Sequence, residues 1–213
     1  VAESCTDEGE RAVIPGSRGR PRSKELDAAI LRAALDLFIE RGIAGMSIEQ
    51  VAKRAGVGKP TIYRRWPGKE QLVADAIEGY VSADIRRPSH DEIATSAPRA
   101  LMRRNIAGAA RTATDPRFRA LVAQIYGSAV THPTLMQTYW DRYIQPRRTL
   151  AIAMLEQAQR NGAVAEDADL EVLVDMLAGA VTYRVLQPNP PTERQMRRYL
   201  EAAYRQAGLL SGD

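Results

Sequence analysis

Between residues 47 and 69 the chain is rich in side chains able to donate hydrogen bonds, among them Ser47, Lys59, Thr61, Tyr63, Arg64 and Lys69, with Pro60 in the same stretch. The Ser47 and Tyr63 hydroxyls suit phosphate oxygens, Lys59 can donate to guanine O6 or N7, and Pro60 and Thr61 offer methylene and methyl contact to thymine. Catalytic chemistry finds far less to work with. There is no Gly-rich phosphate loop, no Gly-x-Ser-x-Gly elbow and no His-Glu-x-x-His. Cys5 is the one cysteine, and His90 and His132 are the two histidines, so disulfide scaffolds, zinc sites and general-base chemistry lack their ingredients. The chain is therefore expected to use no cofactor and no metal, and not to be an enzyme.

The elements that must position those donors are marked in the sequence. Ser47-Ile48-Glu49-Gln50 is a capping box, with Met46 and Val51 placed as a hydrophobic staple, so a helix starts there. Gly56 supplies a position tolerant of positive φ a few residues on, so that helix is short. A second short helix is expected over Gly58–Trp66, with Pro60 in its first turn, where a missing N–H does no harm. Val51, Ala55, Val57 and Ile62 face inward and Ala52 is small where the helices cross, which is a helix-turn-helix frame. Such a frame projects Lys59, Pro60 and Thr61 into a DNA major groove about 12 Å wide. A plain αα-corner has the same bare pattern, in which Tyr63 and Trp66 are core aromatics.

A preceding helix opens at Ser23, buries Leu26, Ile30, Ala33, Ala34, Leu37 and Phe38 on one face, and ends at Gly42 and Gly45. Pro67-Gly68 stops the second short helix, and Lys69 opens a longer one through Leu72, Val73, Ala76, Ile77, Tyr80 and Val81. Ahead of all these, Arg18-Gly19-Arg20-Pro21 is the kind of arm that lies in a narrow minor groove, with Arg18 and Arg20 as its contacts. The net charge of +4 hides a strong asymmetry. Residues 11 to 69 hold thirteen Lys and Arg against five Asp and Glu, whereas residues 70 to 213 hold seventeen of each. A polyanion contact belongs in the first block.

The rest of the chain continues as helix-length apolar stripes cut by Pro and Gly, with no period-2 alternation. Asp115-Pro116 and Asp169 read as helix starts, Thr192-Glu193-Arg194-Gln195 as another capping box, and Pro146 as a kink or a break near Gln145 inside a long helix from Pro133 to about Gly162. The fold class expected is all-α with about nine helices. Its parts are a flexible basic arm over 1–22, a helix-turn-helix domain over 23–87 and a regulatory domain over 88–213. With 45% apolar and 26% charged residues, no membrane-length apolar run and an acidic polar start, a soluble cytoplasmic protein is expected. One recognition helix reads few base pairs, so a homodimer is expected too. Leu173, Leu177, Ala180 and Val181 on one late helix, and Met196, Leu200, Ala203 and Ala207 on the other, offer stripes that two copies can pair as a four-helix bundle.

Three stretches together resemble the DNA-binding domain of the TetR family of bacterial transcriptional regulators. They are Leu37-Phe38-Ile39-Glu40-Arg41-Gly42, then Met46 through Val57, then Thr61-Ile62-Tyr63-Arg64-Arg65-Trp66-Pro67-Gly68-Lys69-Glu70. The resemblance implies that Ser47, Tyr63 and Lys69 contact phosphates and that Lys59, Pro60, Thr61 and Arg64 face the groove. It implies operator DNA as partner, commonly with repression. Gly58 and Gly68 depart from the family's usual polar residues, which removes a side-chain contact at each place. The C-terminal part matches in helix layout, and the resemblance implies an effector cavity there. Met102, Phe118, Tyr126, Met136, Tyr139, Trp140 and Tyr143 are the bulky residues available to line it, for a mostly hydrophobic or aromatic small molecule.

Overall fold

A computed structural model of the protein describes residues 24–83, 89–96 and 98–210. The expected cap Ser23, the arm residues Arg18 and Arg20, and the domain boundary near residue 87 lie outside the described residues. Every regular element among the described residues is helical: α1 (Lys24–Gly45), α2 (Ile48–Ala55), α3 (Lys59–Tyr63), α4 (Lys69–Ser82), α5 (His90–Thr95), α6 (Pro98–Thr114), α7 (Pro116–Ser128), α8 (Pro133–Tyr139), a π turn (Trp140–Ile144), α9 (Gln145–Arg160), α10 (Leu170–Val185) and α11 (Glu193–Gln206). The fold is all-α, and the nine helices read from the sequence are present. Two refinements come with them. Ser89 and Glu92 form a capping box that opens the short α5, a signal the sequence carried and the Pro88 break obscured. The long helix from Pro133 divides into α8, the π turn and α9. Pro146 has no N–H for an α bond, and the strain is taken up just ahead of it, where the Gln145 N–H reaches back to the Trp140 carbonyl.

The caps behave as their chemistry requires. Asp115 accepts from the Arg117 N–H at 2.8 Å, Asp169 from Val172 at 3.1 Å, and Thr192 and Gln195 exchange bonds reciprocally. Gly42 turns to φ 67° and breaks α1 before its last residues, as its type allows.

One core holds the first four helices together with parts of α7 and the α8–π segment. Ile30, Phe38, Val51, Ile62, Leu72 and Val73 show no exposed surface, and Leu121 and Ile125 of α7 and Leu135, Tyr139 and Tyr143 of the α8–π segment join the same cluster. Polar ties reinforce it: Gln124 of α7 donates to the Ile39 carbonyl at 3.1 Å, and Arg117 pairs with Asp36 at 2.5 Å. A second cluster packs α6 against α11 through Ile106, Ala110, Met196 and Leu200, and a third joins α9 to α10 through Leu155, Ala158 and Val174. Met196 and Leu200 are thus spent inside the chain, at 0% and 1% exposure, and hold α11 on α6 instead of offering surface to a second copy.

Candidate nucleic-acid interface

The helix-turn-helix is built from α2 and α3 over a floor supplied by α1 and α4. Ser47 caps α2 by accepting from the Gln50 N–H at 3.3 Å, while Gln50 accepts from the Ser47 N–H at 2.9 Å, so the Ser47 hydroxyl proton stays available to an outside acceptor. Gly56 ends α2 at φ 68°, its N–H reaching back to Ala52 and Lys53. α3 begins a few residues later. It buries Ile62 completely and leaves Lys59, Pro60, Tyr63 and Arg64 exposed, with Thr61 half-buried between them. That division is what a recognition helix needs: one apolar residue anchors it and most of its polar side chains face outward.

Three ties fix the helix-turn-helix against its supports. Arg65 pairs with Asp27 of α1 and donates to the Thr61 carbonyl at 2.9 Å. Arg54 on α2 grips Glu40 of α1 with both guanidinium ends, at 2.7 and 2.9 Å. Trp66 is buried as a core aromatic and donates from Nε1 to Asp75 Oδ2 on α4 at 2.8 Å. Nothing in the sequence marks Arg65, Arg54 or Asp75 for these roles, because their partners lie on other helices at separations that no local pattern encodes.

Two expected contacts are engaged within the protein. Lys59 Nζ donates to Glu49 Oε1 at 2.6 Å, and this bond holds the ammonium above its ordinary range and the carboxyl below it. Lys69 Nζ donates to the Ile43 carbonyl at 2.7 Å, tying the start of α4 to the last residues of α1, with further donors left on the same ammonium. Tyr63, at 54% exposure, has no protein partner for its hydroxyl among the described residues.

α4 carries this head to the C-terminal half through a chain of polar bonds. Asp75 takes Trp66 on Oδ2 and Arg142 of the π turn on Oδ1 at 2.5 Å. One turn on, Glu78 pairs with Arg147 of α9 at 2.5 Å, and Arg147 lies 3.7 Å from the centre of the Tyr143 ring, which stacks on Tyr139 at 4.8 Å. Burial pushes the Arg147 guanidinium below its usual range and the Tyr139 phenol well above its own. Near the end of α4, Tyr80 donates to Asp115 at 2.5 Å.

The residues expected to line an effector cavity divide. Tyr139 and Tyr143 are packed in the shared core against α4, and Phe118 is wedged between the first two clusters. Met136 and Trp140, with Ala129, Pro133 and Gln137, line an open groove of about 270 Å³. Tyr126 is half exposed, its hydroxyl 3.4 Å from that of Thr182. Met102 lies on α6, its side chain outside the described residues.

Comparison with known proteins settles what this frame belongs to. The sequence model for the tetR family of bacterial regulatory proteins matches residues 30–76, and that for the tetracyclin repressor-like C-terminal domain matches residues 93–203. The chain belongs to the TetR family. Relatives extend over most of its length: the HTH-type transcriptional regulator YdeS of Bacillus subtilis is 32% identical over 177 residues, covering 81% of this chain and 84% of YdeS. The HTH-type regulator Rv1556 of Mycobacterium tuberculosis is 30% identical, with 81% of each chain covered. Among solved structures, the TetR-family regulator SCO0332 superposes with a TM-score of 0.62 at 28% identity, covering 89% of this chain and all of that one. A regulator from Rhodococcus sp. shares the fold at a TM-score of 0.68 and 20% identity, over 87% of this chain and 99% of its own. The protein is a TetR-family transcriptional regulator whose relatives are regulators and not enzymes. No helix among the described residues is long and apolar enough to cross a membrane.

Proposed function

We propose that this regulator binds a palindromic operator as a homodimer in the bacterial cytoplasm, represses by occluding a promoter, and is released by a small hydrophobic or aromatic effector. The observation that carries the reading is the surface of α3: Ile62 and Trp66 are inside, while Lys59, Pro60, Tyr63 and Arg64 stand outward beside the Ser47 cap. In the DNA complex Thr61, Pro60, Lys59 and Arg64 read base edges, and Ser47, Tyr63 and Lys69 hold phosphates. Arg18 and Arg20 extend that contact into the flanking minor groove.

Dimerisation is supported by α10, which exposes Val172, Met176, Gly179, Tyr183 and Leu186 at spacings of 4, 3, 4 and 3, a seam suited to a second helix. Met176 at 64% and Tyr183 at 71% exposure are costly to leave in water. The proposed interface is this seam together with Ala180, which borders it. Leu173, Leu177 and Val181, one position further round, are engaged with the chain's own clusters, as are Met196, Leu200 and Ala207, and half-buried Ala203 sits on α11 beside them. Effector release would act through α4, because Asp75 and Glu78 join it to the segment bearing Met136 and Trp140. A ligand releases DNA only by favouring the conformation that fits the operator less well.

In vitro selection from random duplex DNA at physiological salt tests the reading. Enrichment of a palindrome is expected. Binding with no enriched sequence, lost on modest added salt, would replace the operator-specific regulator with a non-specific DNA-binding protein.

A further inference from the structure

Among the described residues, three half-buried arginines end on carboxylates. Arg65 meets Asp27, Arg147 meets Glu78, and Arg148 meets both Glu171 and Asp175. One corner breaks the pattern. Arg119 of α7 donates from Nη2 to the Gln187 carbonyl at 3.0 Å, and Arg184 of α10 donates from Nη1 to the Gln187 side-chain oxygen at 3.0 Å. Both cations converge on one neutral residue, and among the described residues no carboxylate pairs with either. Arg184 Nε is moreover buried without a hydrogen-bond partner, the one such side-chain atom among the described residues.

The surroundings do not cancel this charge. The C-terminal end of α10 carries the equivalent of about half a negative charge, against two full positive ones. A guanidinium fork with an unpaired N–H matches a carboxylate or phosphate and little else. The Tyr199 ring lies 5.3 Å from the Arg184 guanidinium carbon, Phe118, next to Arg119 in sequence, packs into the neighbouring clusters, and further along α7 and α10 the Tyr126 and Thr182 hydroxyls face each other at 3.4 Å. We propose that Arg119 and Arg184, braced by Gln187, form an anion site that takes the carboxylate or phosphate of a small organic acid whose apolar part lies between α7 and α10. Its use as the effector site rests on the regulator reading above; the binding itself does not.

The test uses the full chain without DNA, titrated by calorimetry with octanoate, octanol and inorganic phosphate. Octanoate is expected to bind and octanol to bind at least about tenfold more weakly, a contrast needing no variant. Phosphate binding as tight as octanoate would assign the site to free oxyanions, with the same two arginines as ligands. Arg119→Gln and Arg184→Gln are each expected to weaken binding by about tenfold or more with helicity unchanged by circular dichroism, and Arg184→Lys to recover part of it. Equal binding of octanoate and octanol with no binding of phosphate, or anion binding unaltered in the double Gln variant, overturns the proposal. So does dissociation of the dimer by Arg184→Gln, which would make a second copy the source of the counter-charge. Loss of operator selection with octanoate binding intact sinks the DNA reading alone, and the converse sinks this site alone.

Discussion

In the helices that carry the DNA-facing surface, the apolar and charged groups of the framework find their partners inside the same chain. Phe38, Val51, Ile62 and Leu72 are enclosed, Trp66 has its acceptor, and Arg54 and Arg65 each reach back to α1. The α7 and α10 region is built differently. There Met176, Tyr183 and Val130 face water, and two arginines converge on Gln187 with no carboxylate partner among the described residues. The contrast separates a part whose groups are satisfied within the chain from a part whose apolar and charged groups are left at the surface or unpaired. A structure read alone shows the first as fixed contacts and the second as surface left over.

The contrast breaks or holds on paired substitutions. The largest effect is expected from Phe38→Ala, which should cost about 3–5 kcal/mol in urea unfolding and take DNA binding with it. Tyr183→Ala at low protein concentration should stay within about 0.5 kcal/mol. Similar losses in both variants would mean that the two regions are equally self-sufficient. Met176→Asp comes next: a charge set in the α10 seam should weaken the proposed dimer by about 3 kcal/mol or more in sedimentation, with helicity unchanged. A dimer indifferent to that charge would move the interface elsewhere.

Smaller effects sharpen the head itself. Asp75→Ala removes the acceptor of both Trp66 and Arg142 and should cost about 1–3 kcal/mol. Asp75→Asn keeps a neutral acceptor for Trp66, loses only the partly exposed charge pair, and should cost about 1 kcal/mol at most. Lys59→Ala should leave the melting temperature unchanged and relax base preference in a repeat selection, whereas Tyr63→Phe should weaken all sequences alike. The reverse pattern would exchange their roles as base and phosphate contacts.

The head is legible in the sequence because its determinants are local. A capping box, a glycine at a left-handed turn and a proline in a first turn each act within a few residues, and together they delimit α2 and α3. The proposed dimer stripe is harder to read, because α10 is apolar nearly all round: Leu173 and Leu177 alternate with Val172 and Met176, and periodicity cannot tell which set a neighbouring helix has claimed. Tyr139 and Trp140 are equally inseparable in sequence, and one is core while the other rims a groove. Lys59 and Lys69 look like free donors in the sequence, although Glu49 and the Ile43 carbonyl, 10 and 26 residues away, engage them.

The π turn ahead of Pro146 has a consequence for phase. It holds one residue more than an α turn would, and taking that residue up would rotate α8 against α9 by about 100° and slide it about 1.5 Å. Tyr139 would swing off the face of Tyr143, and Met136 and Trp140 would point in a new direction relative to Arg142 and Arg147. In an uninterrupted α form the Pro146 ring would press on the Arg142 carbonyl, so the extra residue acts as a pawl against that rotation, which would change how the groove side of the rod is set against the side facing α4.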